Sequence, residues 1–330
     1  MRVLSLLFSF ALVVLIAGCG KDKPADAGTD AGGDAAPKKF ISIGSAPTGG
    51  TFFIMGGAFE KVINESDIGS KATNESTKGS RENIIRLNKQ EIDFGMSNAA
   101  ITYFAVRGES DWKEPIAVRS VITMAPNVAQ FITTEGSGIN GVADLKGKRV
   151  YVGPAGAGFN MFLEPILTAH GIAYTDFTPI NGKFSDAVGF LQDKQIDAAF
   201  LGGAVPTPAI VQASSSLKVS FVPYDADAKA GLLAKYPFFG DTVIPADKYT
   251  ALTEDFPGMN VGYMHLITHE NVDEETVYQI TKTLYENREK VVAIHPAGKA
   301  INPKNAVRQT GTPFHPGAIR YYKEAGIWQE

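Results

Sequence analysis

A single cysteine in 330 residues is the first thing the sequence has little of. One cysteine excludes an internal disulfide and any cysteine-rich zinc site. An excess of positive charge is also missing. The chain carries 31 Lys and Arg against 35 Asp and Glu, for a formal net charge of −4. The electrostatic footprint of a nucleic-acid binder is therefore absent, and no nucleic-acid partner is expected. Beyond the N-terminus there is no long apolar run, which excludes a polytopic membrane protein. No repeat in the range of roughly 20–50 residues is visible, so a solenoid or propeller is not expected. What is present is 44% hydrophobic and 20% charged sequence, the composition of a globular chain and not of collagen or a disordered polymer. A chain this long can bury roughly 75% of its unfolded surface, and at that size two lobes are favoured over one larger core.

The N-terminus reads differently from the rest. After Met1-Arg2, the stretch Val3–Ile16 is apolar apart from Ser5 and Ser9. A positive start and a short apolar run form a secretory signal layout, shorter than the about 20 residues a membrane span needs. Ile16-Ala17-Gly18-Cys19 follows. An aliphatic residue, two small residues and a cysteine resemble the lipobox of bacterial lipoproteins, which implies a signal peptide over 1–18 and a lipid on Cys19. That lipid would anchor the chain to a membrane without spanning it. Lys21–Lys39 has no aliphatic side chain larger than Ala and no aromatic. It cannot bury enough apolar surface to offset its ordering entropy, so residues 19–39 are expected to be a tether, averaging about 25 Å in reach. The folded part is expected to start at Phe40.

From Phe40 onward, β-like runs alternate with helix-like stretches, the pattern of an α/β protein. Strands are expected at Phe40–Gly44, Ile92–Met96, Ile116–Met124, Val128–Thr133, Lys148–Gly153, Ile196–Leu201, Leu217–Val222 and Val261–Thr268, with Ala125-Pro126-Asn127 separating the third from the fourth. Phe52, Met55, Phe59, Val62 and Ile63 are at helical spacing. A C-terminal helix is expected to start at Asp273-Glu274-Glu275, where acidic residues suit the positive dipole end, and to run to His295-Pro296.

Two glycine-rich segments each follow a strand and lead into a helix. In Gly44-Ser45-Ala46-Pro47-Thr48-Gly49-Gly50-Thr51, Gly50 stands where a P-loop needs its lysine, so nucleotide triphosphate chemistry has little support. The loop reads either as a tight turn or as a cradle of free N–H groups and hydroxyls for a small polar or anionic group. Val152-Gly153-Pro154-Ala155-Gly156-Ala157-Gly158-Phe159-Asn160 lacks the third glycine of a dinucleotide fingerprint. It reads as a second such nest, with Pro165 expected to kink or delay the helix behind it.

Catalytic and metal readings are weak. His265 and His269 would align on a helix, but they fall in a strand-like stretch, and no H-E-x-x-H is present, so no metal is expected. His295 and His315 precede prolines and read as helix-end punctuation. Gly95-Met96-Ser97-Asn98-Ala99 loosely matches a nucleophile elbow without its last glycine or evident partners. Ser97 and Asn98 equally suit a helix N-cap or a binding edge at a strand's C-terminal end. Lys78 and Arg81 stand out among the charges, with surface solvation as their ordinary reading.

Taken in order, these segments resemble the TAXI family of solute-binding proteins from tripartite ATP-independent periplasmic (TRAP) transporters. Thr48-Gly49-Gly50-Thr51-Phe52-Phe53, then Gly56-Gly57-Ala58, is similar to the family's T-G-G-T and aromatic pair, with phenylalanines in place of the usual tyrosines. Ser76-Thr77-Lys78-Gly79-Ser80-Arg81-Glu82-Asn83 resembles its S-T-G-G-S-x-E-N segment, with Lys78 replacing a glycine. Gly95-Met96-Ser97-Asn98 resembles a Q-S-D-like step without the acid. Gly138-Ile139 and Asp144–Val150 are similar to a stretch found widely in binding proteins. The second nest resembles V-G-x-x-G-S-G, with Ala157 in place of serine. Gln195–Phe200, Gly203–Ile210 and Thr312–Ala318 through Tyr321-Tyr322 complete the likeness.

The resemblance implies a two-lobed periplasmic binding protein (type II-like), with two α/β lobes, a ligand cleft and a two-strand hinge. Lobe I would comprise 40–128 plus 259–330, and lobe II 129–258. It implies a receptor, not an enzyme, that needs no cofactor and stands on the periplasmic side of a bacterial membrane. Such a receptor binds a small organic anion (a carboxylate or an acidic amino acid such as glutamate or 2-oxoglutarate) and passes it to TRAP transporter membrane subunits. Carried over position by position, the ligand-binding residues would be Thr48, Gly49, Gly50, Thr51, Phe52, Phe53, Lys78, Ser80, Arg81, Asn83, Ser97, Asn98, Ala157, Gly158, Phe159, Asn160, Gly203 and Pro206. A binding protein of an ABC importer, a solute sensor for a signalling receptor and a periplasmic serine hydrolase using Ser97 are the alternatives.

Overall fold

The computed structural model describes residues 37–328 except 237. The expected signal segment, Cys19 and the tether up to residue 36 lie outside the described residues. The end of the expected tether is ordered. Lys38 donates its amide to Thr276 Oγ1 and pairs its ammonium with Asp93, and the Lys39 carbonyl accepts from Lys71 N. An ion pair and backbone bonds hold here what hydrophobic burial does not.

Strands and helices alternate through the first part: β1 (Phe40–Gly44), α1 (Thr51–Asn64), β2 (Lys71–Glu75), α2 (Ser80–Asn88), β3 (Phe94–Asn98) and α3 (Ala99–Ala105). The long β4 (Val118–Thr134) leads to β5 (Arg149–Tyr151), α4 (Asn160–Ala169), β6 (Thr178–Ile180), α5 (Phe184–Gln192), β7 (Ala198–Gly203) and α6 (Pro208–Ser216). Then come β8 (Val219–Phe221), α7 (Ala226–Lys235), β9 (Gly240–Ile244) and the second long strand, β10 (Phe256–His269). The chain ends with α8 (Glu274–Glu286), α9 (Arg288–Ile294), α10 (Pro303–Ala306) and α11 (Pro316–Glu324).

The ten strands of the described residues form one mixed sheet, and β4 and β10 belong to both halves of it. In one half β2, β1 and β3 are parallel, β10 runs antiparallel to β3, and the first part of β4 runs antiparallel to β10. In the other half the last part of β4 pairs with β7 and β8, and β5 and β6 continue parallel to β7. β9 lies on the first residues of β10. This is the expected α/β, two-lobed class, with both crossings made by strands.

Several boundaries differ from the sequence expectation. The two strands expected around Ala125-Pro126-Asn127 are one strand, β4. Pro126 opposes Tyr263, where the β10 register shifts on both sides, so its missing N–H falls at an irregularity in the ladder. β3 starts at Phe94 and not Ile92, and just before it the Asp93 carboxylate accepts from Ser42 N and Oγ. β2, β6 and β9 are outside the sequence expectation; they are strands of only three to five residues, too short to show an apolar alternation. The single C-terminal helix is two, because Asn287 at φ −96° and ψ 19° turns the chain and puts both its amide and its Nδ2 on the Thr283 carbonyl. Pro165 does not delay α4. Phe162, Leu163, Ile166 and Leu167 are all buried there, and their packing outweighs one lost helical bond. His295 and His315 act as N-caps: each Nδ1 accepts an amide two residues on, from Ala297 and Gly317.

Buried apolar side chains fall into three clusters. One lies under α1, α8 and α11 in the first half, and one under α5 and α6 in the second. The remaining cluster is continuous across the halves, running from Leu87 and Ile101 to Val150, Phe162 and Phe200. Among the described residues no helix is long and apolar enough to cross a membrane, and no group of three or more His, Cys, Asp or Glu side chains could hold a metal ion.

Candidate functional site

The ends of the parallel strands in the two halves face a common pocket. This is where open α/β sheets receive ligands. Its walls come from Ala46, Pro47 and Gly50–Phe52 after β1, from Lys78–Ser80 after β2, and from Asn98 and Ile101 after β3. Asn127 in β4, Gly158, Phe159 and Phe162 after β5, Phe184 of α5 and Gly202 of β7 close the other side. The interior leaves about 40 Å³ for the centre of a water-sized sphere, room for roughly three waters.

Three helices begin at this pocket: α1 after Gly50, α2 after Gly79 and α4 after Phe159. None of the three has a side-chain cap. At α1 the amides of Phe53 and Ile54 return to the Gly50 carbonyl, leaving those of Thr51 and Phe52 without a backbone acceptor. Free N–H groups at a helix start carry positive partial charge and favour an anion. α1 and α4 also lack an acidic residue in the first turn; α2 has Glu82, whose carboxylate accepts the Lys78 amide. Lys78 itself is exposed at the rim, with no ion-pair partner among the described residues.

Asn127 is the polar group the sequence reading missed. It sits in the middle of β4, 4% exposed, and its Oδ1 is buried without a hydrogen-bond partner. Buried amides are ordinarily satisfied, so an orphan one in a pocket wall is a place for a ligand bond. The tripeptide Ala125-Pro126-Asn127 was the signal available, and it reads in the sequence as a break between two strands. Apolar walls come from Phe52, Ile101, Phe159, Phe162 and Phe184. Phe159 and Phe184 lie 5.5 Å apart between ring centroids. Two glycines permit the close approach of the halves. A Cβ on Gly158 would stand 2.5 Å from Ile101 Cδ1, and one on Gly49, which has φ +84°, would stand 2.7 Å from Ser185 N.

Of the residues expected at a ligand site, Gly50, Thr51, Phe52, Lys78, Ser80, Asn98, Gly158 and Phe159 line this pocket. Ser80 Oγ accepts from Asn98 N, and Asn98 caps α3 through Oδ1 on Ala100 N. Thr48 and Gly49 serve a different purpose: Thr48 Oγ1 meets Ser185 Oγ at 3.3 Å, and their carbonyls accept from Ser185 N and Ala209 N. The glycine loop is thus a clasp between the halves as well as a pocket wall. Gly203 packs against Thr51, and the Pro206 carbonyl meets His295 Nε2 at 2.9 Å.

The rest lie elsewhere. The Phe53 carbonyl accepts from Asn74, and Arg81 stacks on Trp112 at 5.8 Å. Asn83 Nδ2 serves the carbonyls of Gly44, Ser45 and Met96, which fixes it inside the lobe. Ala157 is buried outside the lining, and the side chain of Asn160 is outside the described residues. Ser97 is fully buried, 2.8 Å from Thr102 Oγ1, which is 2.8 Å from His265 Nε2. That Ser–Thr–His chain has no carboxylate in it and no exposure, so it does not present a nucleophile to the pocket. Burial pushes the His265 imidazole down to about 3, which keeps it neutral. Lys78 is the one titratable side chain among the described residues lining the pocket.

Two α/β halves joined by two strands around a pocket at their strand ends define the fold of periplasmic solute-binding proteins. Residues 43–326 match the model of the NMT1-like family, and the chain belongs to that family. The fold is similar to a solved protein of Bordetella bronchiseptica RB50, with a TM-score of 0.57 and 12% identity over 88% of this chain and 98% of that one. It is also similar to the alkanesulfonate-binding protein SsuA from Xanthomonas axonopodis pv. citri bound to MOPS, with a TM-score of 0.50 and 14% identity over 90% of this chain and 96% of that one.

Proposed function

We propose that the protein is an extracytoplasmic receptor that captures a small organic anion between its lobes and delivers it to a membrane transporter. The observation that carries this reading is the pocket itself: three uncapped helix starts and an unpartnered Asn127 meet there, with no acidic side chain among its described lining residues. An anion is the ligand that such a potential favours. Lobe I is taken as 40–128 plus 259–330 and lobe II as 129–258, with β4 and β10 as the hinge about which ligand shifts an open–closed equilibrium. The sulfonate ligand of the Xanthomonas protein is in keeping with anion capture on this fold.

The transporter in this reading is of the TRAP type, on the strength of the T-G-G-T and S-T-x-G-S segments and the Thr312–Ala318 ending. The anchor is a lipid on Cys19. Mass spectrometry of the natively purified protein tests the first part: a co-purified organic anion is expected, and a pocket that retains and binds no small molecule would refute it. Lipidation is tested on the N-terminal peptide, where a diacylglyceryl Cys19 is expected and Cys19→Ser should release the protein from the membrane fraction.

A further inference from the structure

The charge arrangement of the pocket narrows its ligand further. The only full charge among the described lining residues, and the helix starts that meet there, are positive: Lys78 at the rim, and the starts of α1, α2 and α4. Glu82, the acidic residue in the first turn of α2, is outside the lining and accepts the Lys78 amide. The acceptors within the walls are few. Ser80 Oγ already takes the Asn98 amide, and Asn98 Oδ1 takes that of Ala100. Among these side-chain acceptors, Asn127 Oδ1 is the one buried without a partner, and it is neutral. One neutral oxygen satisfies a hydroxyl. It does not satisfy an ammonium, which brings three donors and a full positive charge. The room, about 40 Å³ for sphere centres, and the phenylalanine walls suit a short acid with an apolar end.

We infer that the site selects short organic anions without an amine, such as unsubstituted or 2-hydroxy acids, and rejects α-amino acids. This rests on the anion-receptor reading above and excludes the amino-acid branch of it. Lactate and alanine are the matched probes, because they differ in placing a hydroxyl or an ammonium on the same carbon; propionate places neither there.

The experiment is calorimetry of the purified full-length protein, stripped of bound ligand, with L-lactate, propionate and L-alanine. Lactate or propionate is expected to bind roughly 100-fold or more tighter than alanine, the scale of a like-charge juxtaposition. Asn127→Asp should reverse the order, because it supplies the missing carboxylate. Alanine binding as tightly as lactate, or a co-purified ligand that bears a primary amine, would overturn the inference and leave the receptor reading standing. An unchanged order in Asn127→Asp would overturn the role given to Asn127. Failure of all three probes, with no small molecule co-purifying, would overturn both.

Discussion

Thr51 Oγ1 donates to the backbone oxygen of Ala204 at 2.9 Å, fastening the first residue of α1 to the turn after β7. The bond is buried and joins the two halves beside the pocket. Removing it leaves the Ala204 carbonyl with only the longer 3.4 Å bond from Thr207 Oγ1, at a cost of about 1 kcal/mol. Thr51→Val should therefore weaken anion binding about 10-fold, with ligand-free scattering shifting toward a more open particle. Gly49→Ala should do the same for a steric reason, since its Cβ would press on Ser185 N at a backbone φ of +84°. If both variants bind and scatter like the parent, the clasp has no part in closure.

Asn127 separates stability from binding. Leucine has a similar shape and no polar atom to leave unsatisfied, so Asn127→Leu should raise the melting temperature by about 2 °C while abolishing anion binding. Differential scanning calorimetry and a ligand titration read the two effects. A variant that binds normally would show that the orphan amide is not a ligand contact.

Lys78 and Arg81 lie close in the chain but differ in placement. Lys78 stands at the pocket rim without an ion-pair partner among the described residues, whereas Arg81 lies over the Trp112 ring. Lys78→Ala should lower anion affinity about 3–10-fold and flatten its salt dependence, because a rim charge acts through a screened field. Arg81→Ala should leave affinity unchanged. Equal losses in the two variants would show that the charge near α2 acts without regard to position.

The buried His265 sets a pH dependence. Its folded pKa, about 3, lies below the ordinary 6.5. Between these values the unfolded chain takes up a proton that the folded protein refuses. Stability is thus whole above pH 6.5 and falls as the pH drops, by about 1.4 kcal/mol per unit for this group. Burial lowers His295 and His315 in the same direction. Urea unfolding from pH 6.5 down to 4.5 should show the decline, and His265→Gln should remove about 1.4 kcal/mol per unit of it. A slope unaltered by that substitution would place the proton uptake elsewhere.

The sequence was most informative where local rules act. The α/β alternation, the start of α1 after Gly50 and the placing of β1 were legible because hydrophobic period and glycine punctuation are properties of neighbouring residues. Gly50–Phe52, Lys78, Ser80, Asn98, Gly158 and Phe159 came as a set from the resemblance to the TAXI family, and each sits at a loop-to-helix or strand-to-helix junction that a short motif can mark. Asn127 could not. In the chain it follows a proline and reads as a break between strands; in the fold, the register shifts beside Pro126 let β4 run through and leave Asn127 in the pocket wall. Arg81, Asn83 and Ser97 went the other way, satisfied by Trp112, by backbone carbonyls and by Thr102, none of which their local sequence reveals.

What the sequence determined by itself is therefore the class of fold and the glycine-led helix starts, because these depend on neighbouring residues and need no partner from far along the chain. What the tertiary structure alone decided is which side chains are already spent. A hydrogen bond such as Thr51 to Ala204 spans 153 positions, and a partner that far along the chain leaves no mark on the residues beside either end.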